Sequence, residues 1–270
     1  MLTSDQVLAL EQPLRLTAFV SLLLILAAAE RIFPRRGDAR LAPRQGVNIA
    51  LMVLNTALLR VLFPVLAVGF AAYVQSHGIG VLPWLALPVW ASVLLAVLLL
   101  DMAIYWQHRG MHWLPVLWRM HRVHHSDLAF DLSLGVRFHP LEIALSMLLK
   151  FAAIAALGAS PLAVLCFELA LSAGSLFTHA DLRLPARFER VLRWLLVTPD
   201  MHRIHHSIHR DETNSNFGFS LSLWDRCFGS YRAEPRDGHA EMQIGLAEFR
   251  QPGEQSLLRL LRNPFRARVD

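Results

Sequence analysis

The chain is poor in charge. Of its 270 residues, 17% are charged and 54% hydrophobic, whereas a soluble domain of this size carries about 25% charged residues. There is too little polar surface to wrap a soluble fold. Apolar runs close to the ~20 residues that cross a bilayer identify an integral membrane protein. Cysteine is scarce as well. Cys166 and Cys227 stand far apart and show no metal-binding or redox pairing pattern, so no disulfide framework is implied. Aromatic and basic residues are not interleaved in the manner of a nucleic-acid binder, which gives no nucleic-acid partner. The net charge of +5 is spread over loops and the tail, as suits anionic lipid headgroups. The opening M-L-T-S-D-Q lacks the charged start of a cleavable signal, so the first apolar run is expected to be retained.

What the chain has in quantity is histidine. The stretch from Asp101 to His125 leaves an apolar run and presents His108, His112, His121, His124 and His125. Roughly eighty residues later, T-P-D-M-H-R-I-H-H adds His202, His205 and His206. Residues three and four apart share one face of a helix. That spacing relates His108 to His112, His121 to His124 and His125, and His202 to His205 and His206. Eight of the thirteen histidines fall in these three groups. Neutral imidazole is the commonest metal-binding side chain, and packing alone gives no reason for the spacing. The expectation is a nitrogen-rich metal centre at a membrane face.

The apolar runs give the topology. Leu14 to Ala29, extendable back to Leu8, is followed by Arg31, Arg35, Arg36, Arg40 and Arg44 with one acid, Asp38. This arginine loop marks the cytoplasmic side. Val47 to Val74 crosses away, with Pro64 as a kink. Trp84 to Trp106 returns, so His108 emerges in the cytoplasm. Leu141 to Phe177 is broken by G-A-S-P at Gly158 to Pro161. It reads as a tight helical hairpin or as a membrane-parallel helix pair. The tail, Glu254 to Arg268, suits a helix lying in the interface or one packed on the domain. The expected fold is all-α, a multi-pass helical bundle. Its parts are an N-terminal transmembrane region over 1–94, a histidine-bearing region over 95–235 and a C-terminal tail over 236–270.

Several isolated polar residues join the candidates. Asp101, Tyr105, His108 and His112 form one stripe on a helix. Asp101 is expected to accept the free N–H of a ligating histidine, or else to be a helix-end acid reaching for water. Glu168, Ser172, Ser175 and His179 repeat the spacing. Glu168 is therefore expected beside the centre or beneath a lipid headgroup, the alternative being a structural hydrogen bond. His179 in F-T-H-A-D and His139 in R-F-H-P-L-E are further candidate ligands, though His139 also fits a helix cap. Thr198-Pro199-Asp200 reads as a helix start carrying the last histidines. His209 and His239 read as surface groups, and His77 as facing the opposite side.

The order H-R-G-M-H, H-R-V-H-H, R-F-H-P-L-E, F-T-H-A-D, H-R-I-H-H resembles the fatty acid hydroxylase/sterol desaturase superfamily. Asn216 to Tyr231, with N-F-G and W-D-R-C-F-G-S, closes the match, which covers roughly residues 95 to 235. The resemblance implies a mainly helical, membrane-embedded non-haem di-iron oxygenase that acts on a lipid. Carried over by motif, the metal ligands would be His108, His112, His121, His124, His125, His179, His202, His205 and His206, with His139 at the H-P position. Asp101 and Glu168 complete the candidate catalytic set. The implied cofactors are two irons and dioxygen. No cytochrome b5-like or ferredoxin-like segment appears, so an external redox protein of one of those kinds is implied. The ligand types by themselves suit iron, zinc or copper. The lipid (sterol, fatty acyl or related) and the outcome, hydroxylation or desaturation, stay open. Two rival readings are a desaturase of another histidine-box family, against which W-D-R-C-F-G-S argues, and a metal transporter. A transporter would spread its histidines through several spans.

Overall fold

A backbone in hydrocarbon must satisfy its own hydrogen bonds, so the apolar runs become helices. The computed structural model describes residues 3–37 and 43–266. Asp38 and Arg40 of the arginine loop, and the end of the tail with Arg268, lie outside the described residues. Five helical segments are long and apolar enough to cross a membrane. Among the described residues there is no β-strand beyond three isolated bridges.

Helix α1 (Ser4–Ile32) starts in a capping box in which Thr3 and Gln6 exchange side-chain and backbone hydrogen bonds. Helix α2 (Pro43–Leu62) ends just before Pro64, and α3 (Ala67–Ser76) continues it, so the expected kink is a full break. Helix α4 (Val89–Trp113) runs straight into α5 (Pro115–His125), with Pro115 supplying the turn. Helices α6 (Pro140–Leu157) and α7 (Pro161–His179) form the expected hairpin. Its turn needs glycine: Gly158 caps α6 at φ +69°. A methyl group on Gly80, at φ +99°, would overlap the Gly158 backbone. These two residues let the α3–α4 loop touch the hairpin tip.

The main core lies between α3, α4, α6 and α7 and is rich in small residues such as Ala67, Ala71, Ala96 and Ala163. In lipid, helices associate by close packing rather than by escape from water, and small side chains permit it. A buried charge network adds to this. Glu168 of α7 is ion-paired with Lys150 of α6, and lies 2.7 Å from Arg15 of α1. Pairing is what makes these charges tolerable inside a membrane. It also redirects Glu168, which was expected to lead toward His179 or a headgroup. The carboxylate instead ties three spanning helices together.

The polar half consists of short helices: α8 (Ala186–Leu192), α9 (Pro199–His205), α10 (Arg210–Thr213), α11 (Leu223–Cys227), α12 (Gly238–Glu241) and α13 (Leu257–Arg262). Thr198 caps α9 as expected, its hydroxyl accepting from Met201 N at 3.3 Å. The tail packs on the domain, with Leu260 buried against Leu51 and Val123. The C-terminal ends of α1, α4 and α7 and the N-terminal ends of α2 and α6 all meet this polar half. At the opposite end Ser4 hydrogen-bonds Gln75.

Candidate metal centre

Nine histidines from α4, α5, α7 and α9 converge in two adjoining groups. One ring nitrogen from each of His108, His112, His121, His125 and His205 lies within 4.8 Å of the others. His124, His179, His202 and His206 form a second set on the same criterion. The sets abut, with the His125 and His206 rings stacked at 4.5 Å between centroids. All nine are buried except His112, which is half-buried.

The tautomers follow from the partners, because a carbonyl or carboxylate can only accept. Nδ1 of His108 donates to Phe217 O at 2.8 Å, and Nδ1 of His205 to Ser215 O at 2.7 Å. His121 Nδ1 donates to Glu142 Oε1 at 2.7 Å. His124 donates to Arg137 O at 3.1 Å and His179 to Ser175 O at 2.7 Å. In each of these rings the proton sits on Nδ1, so Nε2 offers a bare lone pair. Those lone pairs face one another. The Nε2 of His108 is 3.1 Å from that of His121 and 3.1 Å from that of His205. In the second set, His179 Nε2 is 3.1 Å from His124 Nε2 and 3.0 Å from His202 Nε2. No proton is left to bridge the pairs between rings of assigned tautomer. Two nitrogens bound at ~2.1 Å and at right angles to one ion would sit about 3.0 Å apart. The donor set therefore fits a cation in each group.

Burial also keeps several of these rings neutral. It holds His205 down at about 3, and it lowers His124, His125, His202 and His206, with neighbouring imidazoles adding to the effect. A neutral imidazole is the form that binds a metal.

One short segment orients much of the first group. Asn214 Oδ1 accepts from His112 Nδ1 at 3.3 Å, beside the Ser215 and Phe217 carbonyls already named. Asn216, at φ +52°, holds this segment by donating to Met201 O and Arg232 O and accepting from Arg232 N. Asp225 accepts from Phe217 N at 2.7 Å, Gly218 N at 2.8 Å and Ser230 Oγ at 2.6 Å. Burial pushes its carboxyl up to about 6. The N-F-G and W-D residues thus serve the histidines indirectly. The arginines shared by the two H-R-x-H-H copies do likewise: Arg122 donates to Asn263, and Arg203 pairs with Asp181 at 3.0 Å and with Asp200.

Besides Glu168, two further expected members are not brought to the centre. Asp101 accepts from Trp224 Nε1 at 2.8 Å and Leu221 N at 3.3 Å rather than from a histidine. His139 caps α6, its Nδ1 accepting from Leu141 N, while its Nε2 donates to Leu261 O at 3.1 Å. Glu142 was missed, although it ends R-F-H-P-L-E. Its signal was an acid in the first turn of a helix beside a candidate histidine.

Residues 93–230, just over half the chain, match the family model described as fatty acid hydroxylase. An alkylglycerol monooxygenase of Homo sapiens is 30% identical over 57% of this chain and 33% of its own length. The ornithine lipid hydroxylase OlsE of Rhizobium tropici is 30% identical over 61% of this chain and 51% of its own. A Delta(7)-sterol 5(6)-desaturase of Leptosphaeria maculans is 28% identical over 51% and 35%. The chain thus spans a third to a half of the length of these relatives. No solved structure matches it significantly.

Proposed function

The chain belongs to the fatty acid hydroxylase family, and on that premise we propose that it is a di-iron enzyme using dioxygen to oxidise a C–H bond of a membrane lipid. The observation that carries the reading is the pair of histidine groups, in which the Nε2 atoms of rings protonated on Nδ1 face one another at 3.1 Å. Iron and dioxygen supply an oxidant that no side chain can. The metal-binding set is His108, His112, His121, His125 and His205 for one ion, and His124, His179, His202 and His206 for the other.

The chain's own residues do the positioning. Backbone carbonyls, Asn214 and Glu142 fix the rings so that the ligand set is formed before metal arrives. The lipid's hydrocarbon lies along α4 and α7, whose last turns carry His108, His112 and His179. The apolar bundle around them keeps water from the reacting carbon. Relatives named for alkylglycerol, ornithine lipid and sterol support a lipid as the substrate class. Electrons come from a separate redox protein of the ferredoxin or cytochrome b5 type. The histidine end faces the cytoplasm. In support, Arg35 and Arg36 stand at that end, Arg35 bonding Asp200 beside the last histidine box.

Metal analysis after anaerobic reconstitution should find two irons per chain, with one lost in His125→Ala and one in His206→Ala. Lipid extracts of cells with and without the gene, grown in air, should differ by a species that has gained one oxygen or lost two hydrogens. A single iron per chain, or identical lipid profiles, would sink the proposal.

A further inference from the structure

Apart from the two histidine groups the fold contains a pocket of about 860 Å³ walled by α8, the start of α9, α11 and the segment around Tyr231. That is the size of a small-molecule site, and its lining is basic. It carries Arg35, Arg183, Arg190, Arg193 and Arg226 against the acids Glu189, Asp200 and Glu234. Arg35 and Arg193 are ion-paired to Asp200 and Glu189. Arg183 and Arg190 are exposed, and neither has a side-chain ion pair or hydrogen bond among the described residues. Arg226 is clamped between aromatic faces, 4.2 Å from the Trp194 ring centre and 3.8 Å from that of Tyr231. Its buried Nε has no hydrogen-bond partner. His239, expected at the surface, is buried in the same wall and leaves Nδ1 without one. Arg183 and Arg190 thus offer unpaired guanidinium donors beside the clamped Arg226, a combination that suits a tetrahedral oxyanion.

Its height in the fold says where the anion comes from. Arg35 lies three residues past the end of α1 and Arg183 four past the end of α7, a reach of at most ~14 Å beyond two spanning helices. The headgroup layer is about 5–8 Å deep on each side of the hydrocarbon. The rim is apolar and bare: Phe188, Val191, Trp194 and Leu195 are 56–72% exposed, and Ile32 and Phe33 are 66% and 61% exposed. Such residues, with a tryptophan among them, sit at the boundary between headgroups and acyl chains.

We propose that this pocket binds the phosphate of an anionic phospholipid at the membrane surface, at a site separate from the histidines. The arginines take the phosphate while the rim residues lie among the acyl chains of the same leaflet. The site stands whether or not the oxidation proposed above is correct.

The test uses the full-length protein in nanodiscs of equal phosphatidylglycerol and phosphatidylcholine, released into native mass spectrometry to read the lipids retained. The wild type should retain phosphatidylglycerol over phosphatidylcholine by about thirtyfold, given the attraction of two unpaired arginines to anionic lipid. Arg183→Gln/Arg190→Gln should retain the two equally, with unchanged melting temperature and iron content. Arg226→Gln, a single change in the clamped group, should lower the preference on its own. An unchanged preference in both variants overturns the proposal. So does free inorganic phosphate that binds the lipid-free protein and erases the preference, since the pocket would then serve a soluble phosphorylated ligand. If the double variant keeps its lipid preference but loses affinity for an acidic redox protein, these arginines dock a protein instead.

Discussion

Glu142→Ala removes the one carboxylate among the described residues that is hydrogen-bonded to a histidine of the two groups. Glu142 and His121 are both buried, and the Oε1 to Nδ1 distance is 2.7 Å. The other assigned Nδ1 protons in the first group go to neutral acceptors: Phe217 O, Ser215 O and Asn214 Oδ1. Among the described residues Glu142 is therefore the one carboxylate acceptor on a ligating ring, and it fixes which way that ring points. Loss of such a partner costs a metal site 10–100-fold in affinity, or about 1.4–2.7 kcal/mol. The loss should fall on one ion only. His124 and His179 are held by Arg137 O and Ser175 O, and Glu142 touches neither ring. Anaerobic titration of ferrous iron against a competing chelator should resolve two sites in the wild type. In Glu142→Ala one of them should weaken by 10–100-fold while the other stays within about twofold. Glu142→Gln keeps an uncharged acceptor at the same reach and should lose about tenfold or less. Melting of the metal-free variants separates this from a general loosening around the vacated volume. Two unchanged affinities, or two that fall together in a protein that still melts cooperatively, would refute the reasoning.

His139→Ala should keep both irons and lose about 1 kcal/mol of stability, as expected for a helix cap; metal analysis and melting decide, and a lost iron would return His139 to the centre. Asp225→Ala leaves the Phe217 and Gly218 N–H groups without their acceptor. It should cost about 2–4 kcal/mol and weaken the ion held by His108 and His205, as read by denaturant melts and the same titration. Unaltered stability would mean that Asp225 does not hold the segment. Metal-free protein should also weaken in acid. The unfolded chain protonates its histidines near 6.5, whereas burial keeps folded His205 neutral down to about 3. Between those values the unfolded state binds more protons, so this contribution is complete above pH ~6.5 and is lost as pH falls. His205 alone accounts for about 2 kcal/mol between pH 6.5 and 5. A melting temperature that stays flat over that range would contradict the assignment.

Local features of the chain are the ones its residues reveal. Whether two histidines share a helix face depends only on their separation along the chain. His108 with His112, and the two H-R-x-H-H boxes, were therefore legible in the residues alone. So were the spanning runs, a disruption at Pro64 (though as a kink rather than the observed break), the hairpin at Gly158 to Pro161 and the cap at Thr198, because each rests on a run of a few residues. Asp101 and Glu168 show the limit of such reading. A stripe says on which side of its helix a side chain stands, but not which neighbour packs there. Trp224 and Leu221 came to Asp101, and Lys150 and Arg15 came to Glu168, from other parts of the chain.

The acceptors that set the histidine tautomers were hidden for a further reason. Most are backbone carbonyls, such as that of Phe217, 109 residues from His108. A carbonyl is common to every residue and leaves no mark on the sequence. The division of nine imidazoles into a set of five and a set of four was likewise decided in three dimensions. Neighbours in one box, His124 and His125, point into different groups because adjacent helical positions lie about 100° apart, and only the packing of α4, α7 and α9 around α5 gives each direction its partners. The residue types and their helical period thus determined that nitrogen ligands would gather at one end of a membrane bundle, and the tertiary contacts determined how they are shared and aimed.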